Sequence, residues 1–176
     1  MAILIKSAAE IERMRASGRV LREVHDAVKS VVRVGASTMD LERAAVAKMA
    51  ELRATSAFKG YHGYPAVLCT SVNHEVIHGI PSEKAVLGDG DVVSIDCGVV
   101  VDGLYSDAAV SYAVGAPEPA TEKLLRVTEA SLYAAIEQAR PGNRLGDIGF
   151  AVQRVVAYGQ GSRTRALLRV RRQPAP

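Results

Sequence analysis

No apolar run in this sequence approaches the roughly 18 residues that a membrane-spanning helix needs, so no segment reads as a bilayer span. The opening MAILIKSAAE has too short an apolar stretch before Lys6 to serve as a secretory signal. A cytoplasmic location is the resulting expectation. Cysteine is equally scarce. Cys69 and Cys97 are the only two, and neither sits in a CxxC or Cys/His spacing, which argues against a zinc knuckle and for two buried, reduced thiols. Acid is missing from one end altogether. Residues 161–176, GSRTRALLRVRRQPAP, hold five arginines and no Asp or Glu. The net charge is +3, so without those arginines the rest of the chain stands at −2. The basic character belongs to that stretch and not to the domain, which removes the compositional argument for specific nucleic-acid binding.

What is present suits one ordinary domain, with 176 residues of which 48% are apolar. Ser7-Ala8-Ala9-Glu10 has the S-x-x-E form of a capping box. Apolar residues then recur at Ile11, Met14, Leu21, Val24, Val28 and Val31, the spacing of an amphipathic helix that Gly35 is expected to stop. Ser37 or Thr38 opens a second helix with Leu41, Ala45, Met49 and Leu52 on its inner face and its charged residues on a solvated one. The segment GYHGYP is a turn-rich loop, Ala66–Thr70 reads as a strand and Val76–His78 as a second short extended piece. Two strands, Val92–Val101 and Leu104–Val114, flank Asp102-Gly103, a strong hairpin signal. A third helix is expected over Thr121–Ala139 with Leu125, Leu132 and Ile136 in its core. A fourth carries Leu145, Ile148, Val152 and Val155. VRVGASTMDL and ARPGNRLGDI echo one another, placing Gly35 on Gly142, Asp40 on Asp147 and Leu41 on Ile148. On the residues alone this is either a repeat or the common chemistry of a short helical joint.

The hairpin permits a geometric deduction. With Asp102-Gly103 as the turn, Val101 faces Leu104 and Asp96 faces Ala109. Asp107 lies two residues from Ala109, so Asp96 and Asp107 share one face as diagonal neighbours. That face is otherwise small and polar, with Ser94, Gly98, Ala109 and Ser111, whereas the opposite face (Val93, Ile95, Cys97, Val99, Val101) is built for a core. Like charges on adjacent strands repel unless a cation lies between them. A solvated sheet face would also tolerate them, and two carboxylates are too few to hold a catalytic metal pair. Among the histidines, His25 falls mid-helix and reads as structural or exposed, while His62 stands in the loop GYHGYP and His78 at the strand end VIHGIP.

The order GYHGYP, TSVNHEVIHGIPSE, LGDGDVVSIDCG, VDGLYSDAAVSYAVG resembles the type I methionine aminopeptidases over about residues 3–158. The resemblance implies an α/β (α+β) pita-bread fold, here its first pseudo-symmetric half plus the helices of the second, and it favours a true repeat. By position Asp96 and Asp107 match metal ligands, and His78 matches a catalytic histidine that contacts substrate near the scissile bond. Tyr61, Tyr64 and Cys69 fall where the family lines its methionine pocket. The resemblance implies two divalent metal ions of the Co, Mn, Fe, Zn or Ni class. It also implies nascent polypeptide N-termini beginning with Met as substrates, the ribosome as a candidate partner, and no membrane. Prolidase and creatinase types share the fold, but GYHGYP and VIHGIP favour the methionine enzymes.

The chain also departs from that pattern. No histidine follows His78 and no acid follows Asp147, so the family's later ligands have no counterpart. Residues 1–160 are thus expected to form an incomplete catalytic domain, with 161–176 a basic tail unlike the family and open to disorder. An out-of-frame reading, a truncated paralogue, or an evolved tail docking on RNA or ribosome would each explain it. The competing function is a catalytically inactive module that binds peptide or ribosome. On either view the chain as written is not expected to cleave Met-Ala-Ser at the rate of an intact enzyme.

Overall fold

The computed structural model describes residues 4–159, so the tail expected at 161–176 lies outside the described residues. The chain divides into two compact units, Met1–Pro117 and Glu118–Pro176. Each is described by itself.

The first unit opens with α1, Ala8–Lys29. The Ser7 hydroxyl accepts from the Glu10 N–H at 3.3 Å and the Glu10 carboxylate accepts from the Ser7 N–H at 2.8 Å, the reciprocal cap predicted from S-x-x-E. Leu21, Val24 and Val28 are buried, but Ile11 and Met14 remain about two-fifths exposed. The helix ends at Lys29 with Ser30 as its cap, short of Gly35, which instead turns the connection with φ +83°. Helix α2, Thr38–Glu51, is capped by Ser37, with Asp40 closing a second capping box. Leu41, Ala45 and Met49 face inward as expected. Glu42 does not lie on a solvated face. It is buried, and its carboxylate accepts from the N–H groups of Val67 and Leu68 at 2.7 and 2.9 Å.

Four strands follow, β1 (Thr55–Ser56), β2 (Leu68–Val72), β3 (Val92–Val101) and β4 (Leu104–Ala113). Strand β3 is the hub, antiparallel to β4 along ten residue pairs and to β1 and β2 along successive stretches. The β3–β4 register runs without a bulge from Val101↔Leu104 through Asp96↔Ala109 to Val92↔Ala113, as counted from the turn. Val93, Ile95, Cys97 and Val99 are completely buried and pack with Leu21, Val24, Val28, Leu41 and Met49. Helices α1 and α2 therefore cover one face of the sheet and leave the aspartates on the other. His25 of α1 is buried in this layer and bonds the Ala108 carbonyl through Nε2 at 3.0 Å, the structural alternative of the sequence reading. Burial holds its imidazole pKa below the ordinary histidine value.

Val76–His78 is not a strand. Val76 and Ile77 are 87% and 67% exposed, and residues 75–80 form an irregular loop. The apolar pair looked extended because local pattern cannot register what holds the loop, which is contact with β2 and Tyr64.

The second unit consists of α3 (Pro119–Gln138) and α4 (Leu145–Gly159) packed on one another. Pro119 starts α3 at a position where its missing N–H costs nothing. Val127 and Ser131 are the buried residues of α3. Leu132 and Ile136 are each 56% exposed, contrary to their expected core positions. The echo of the two joints extends to geometry. Gly35 and Gly142 both adopt positive φ, and the Asp40 and Asp147 carboxylates accept from the N–H groups of Ser37 and Arg144 at 2.8 and 2.7 Å.

Candidate metal and peptide site

On the face of the sheet away from α1 and α2, a cleft of about 960 Å³ opens between the β3–β4 hairpin and the loops around GYHGYP and VIHGIP. Its walls include Tyr61, Tyr64, Cys69, His78, Asp96 and Asp107. All six residues singled out in the sequence thus meet in one place within the first unit.

The floor is set by register. Cys69 on β2 is the partner of Asp96 on β3, and Asp107 on β4 is the partner of Gly98. Strand alternation turns Cys69, Asp96 and Asp107 to the same side. Burial first, and the Asp107 charge second, hold the Asp96 carboxyl above the usual aspartate range. The Asp96 Oδ1 atom is buried and has no hydrogen-bond partner among the described residues. A buried carboxylate oxygen left this way costs free energy unless something satisfies it. A divalent cation with oxygen ligands meets both demands, so the residues present fit such an ion. Among the described residues, no group of three or more His, Cys, Asp or Glu side chains is placed to hold one.

The remaining walls suit an apolar side chain. The Tyr64 ring is half-buried, and its hydroxyl reaches the carbonyls of Leu68 at 2.9 Å and Gly79 at 3.2 Å. Cys69 and Cys97 are free thiols, and burial raises both, Cys97 to about 12. Each therefore stays protonated at neutral pH. Cys69 turns to the cleft and Cys97 to the core. Tyr61 is 69% exposed at the rim, stacked edge-on against His62 at 4.4 Å. His78 adopts φ +60°, a region that ordinary residues rarely occupy.

These arrangements have counterparts in known proteins. The sequence profile of metallopeptidase family M24 matches residues 12–168. The chain belongs to that family. Within M24 it is similar to a methionine aminopeptidase of Clostridium acetobutylicum, 42% identical over 160 residues, covering 90% of this chain and 64% of the relative. The methionine aminopeptidase of Escherichia coli K12 is 43% identical over 157 residues, covering 89% and 60%. Among solved structures, the methionine aminopeptidase of Thermotoga maritima superposes with a TM-score of 0.86 at 41% identity, covering 89% of this chain and 63% of that one. An Escherichia coli aminopeptidase P shares the fold at a TM-score of 0.75 and 21% identity. The pita-bread architecture expected from the sequence is therefore the M24 architecture seen here. The chain spans about three fifths of the length of the curated relatives it matches. As a family of metallopeptidases, M24 brings divalent-metal use with it.

The sequence reading overlooked Phe58, Pro65, Ile80 and Tyr105, which also line the cleft, and read His62 only as a loop residue. For Phe58 a signal existed. Gly98 interrupts the centre of β3, and a glycine in a strand often marks close approach by another group. A Cβ at Gly98 would stand 2.7 Å from Phe58 Cε1 and 2.9 Å from Ala57 Cβ. Gly98→Val is expected to drive the Phe58 ring off the sheet and lower stability by about 1–3 kcal/mol, the usual cost of overpacking. Urea unfolding checks the loss, and nuclear Overhauser contacts of the Phe58 ring check its cause.

Proposed function

We propose that this chain carries the peptide-binding face and the first metal-binding carboxylates of a metal-dependent aminopeptidase that removes the initiator methionine from nascent polypeptides. The reading rests above all on the convergence of Asp96, Asp107 and His78 with an apolar pocket in one cleft. Asp96 and Asp107 would hold divalent ions, two in number and of the Co, Mn, Fe, Zn or Ni class. Such ions, when bound, polarise a peptide carbonyl and acidify water. Tyr61, Tyr64 and Cys69 accept the methionine side chain against their apolar surfaces. His78 donates to or accepts from the peptide beside the scissile bond and moves a proton to the departing amine. The substrates place the protein in the cytoplasm, with the ribosome as a candidate partner. That its relatives in Clostridium acetobutylicum, Mycobacterium tuberculosis and Bacillus subtilis are methionine aminopeptidases weighs against an inactive binding module.

The test is binding by the full chain. Manganese should broaden the resonances of Asp96 and Asp107 and of no other acidic pair, and Asp107→Asn should weaken that binding by tenfold or more. With diamagnetic zinc in place of manganese, Met-Ala-Ser should shift Tyr61, Tyr64 and Cys69, whereas Glu-Ala-Ser should not. Manganese bound elsewhere, or equal response to both peptides, would sink the reading.

A further inference from the structure

The loop that carries His78 is irregular and exposed, yet the backbone next to His78 is held from three directions. The Gly79 carbonyl accepts from the Thr70 N–H of β2 at 2.8 Å and lies 3.2 Å from the Tyr64 hydroxyl. The Gly79 N–H donates to the Ser71 hydroxyl at 3.2 Å. Gly79 sits so tightly on β2 that a Cβ there would collide with the Thr70 carbonyl group, 2.8 Å from its carbon. His78 itself is at φ +60°, a conformation that persists only where its surroundings over-determine it.

From this geometry we propose that Tyr64 and Ser71 are positioning residues for His78. Their hydroxyls clamp the two ends of Gly79 and keep the His78 imidazole in the cleft with Asp96 and Asp107. The assignment of a role to the imidazole rests on the aminopeptidase reading above. The clamp itself does not. Tyr64 thereby has two separable parts. Its ring is a wall of the cleft and its hydroxyl is a tether, spanning from the Leu68 carbonyl of β2 to the Gly79 carbonyl of the loop. Two partners from β2, Thr70 and Ser71, and one from the loop before it, Tyr64, act on a single residue, so the strained turn at His78 has no freedom to relax into extended backbone. Removing one hydroxyl leaves the ring, the fold and the charges in place but frees the turn.

The experiment uses the full chain and the variants Tyr64→Phe and Ser71→Ala, neither of which alters a charge. Amide hydrogen exchange at Thr70 and Gly79 should accelerate by about fivefold to tenfold in each variant, the scale of one lost hydrogen bond. Amides of the β3–β4 hairpin should keep their rates. The His78 ring carbons should move toward solvent-exposed shifts in both variants, a signature that mere loss of pocket wall would leave alone. With manganese added, paramagnetic broadening of the His78 ring should fall in both variants while that of Asp96 and Asp107 persists. Unchanged exchange at Thr70 and Gly79 together with an unchanged His78 ring would overturn the clamp. If manganese broadens none of the three residues in the parent chain, the metal reading fails, and exchange with the ring shifts still decides the clamp.

Discussion

Asp96→Asn is expected to raise the melting temperature of the metal-free protein at neutral pH while weakening divalent-ion binding by more than about 100-fold. The two effects have one origin. In the metal-free protein Asp96 is the diagonal neighbour of Asp107 on the hairpin, with one buried oxygen unpartnered among the described residues, so its negative charge opposes folding. Burial first, and the Asp107 charge second, raise its carboxyl above the unfolded value. A carboxyl shifted in that direction leaves stability untouched in acid, below the unfolded value. The penalty sets in as pH rises through that value and is complete above the folded one. The gain from Asn should therefore be present at pH 7 and absent near pH 3, measured in a chelator by thermal unfolding at both pH values. The affinity loss follows because even a group that merely orients a metal ligand is worth roughly 10–100-fold. A carboxylate kept for structural reasons would behave oppositely, and a lower melting temperature at pH 7 would exclude the proposed role.

The second large effect is expected at Glu42, far from any reacting atom. Its carboxylate is buried and accepts from two consecutive backbone N–H groups at the start of β2, the strand that brings Cys69 to the cleft. Hydrogen bonds to a charged acceptor contribute about 1.5–3 kcal/mol each, and a buried donor left unpaired costs about as much as it gained. Glu42→Ala should accordingly cost about 3–5 kcal/mol, read as a lowered urea midpoint at constant slope. Glu42→Gln should also destabilise, though less. An amide has only one acceptor oxygen for two N–H groups, and its own NH2 would confront the second. A loss below about 1 kcal/mol for Glu42→Ala would mean that water replaces the carboxylate.

How far such features could be read in advance differs from residue to residue. The capping boxes at Ser7 and Ser37 were legible because a cap is completed within four residues. Glu42 was not, since its position among charged residues on α2 resembles any solvated helix face, and its two donors lie 25 and 26 residues away. Leu132 and Ile136 had core spacing, yet they are exposed among the described residues. Periodicity names the apolar face of a helix but not what covers it. The pair Val76-Ile77 looked like strand because both side chains are apolar, whereas the loop's shape depends on Tyr64 and Thr70.

The same division holds at the cleft. The sequence by itself determined that Asp96 and Asp107 lie on one face and Cys97 on the other. A two-residue Asp-Gly turn sets the register, and side chains alternate along each strand. Only the tertiary structure decided that the aspartate face is the open one, because α1 and α2 spend their apolar surfaces on Val93, Ile95, Cys97 and Val99. It alone decided that His78, Tyr61 and Tyr64 join those aspartates. The contacts that bring them there, such as that between Tyr64 and Gly79, link residues 15 apart through a loop with no period of its own.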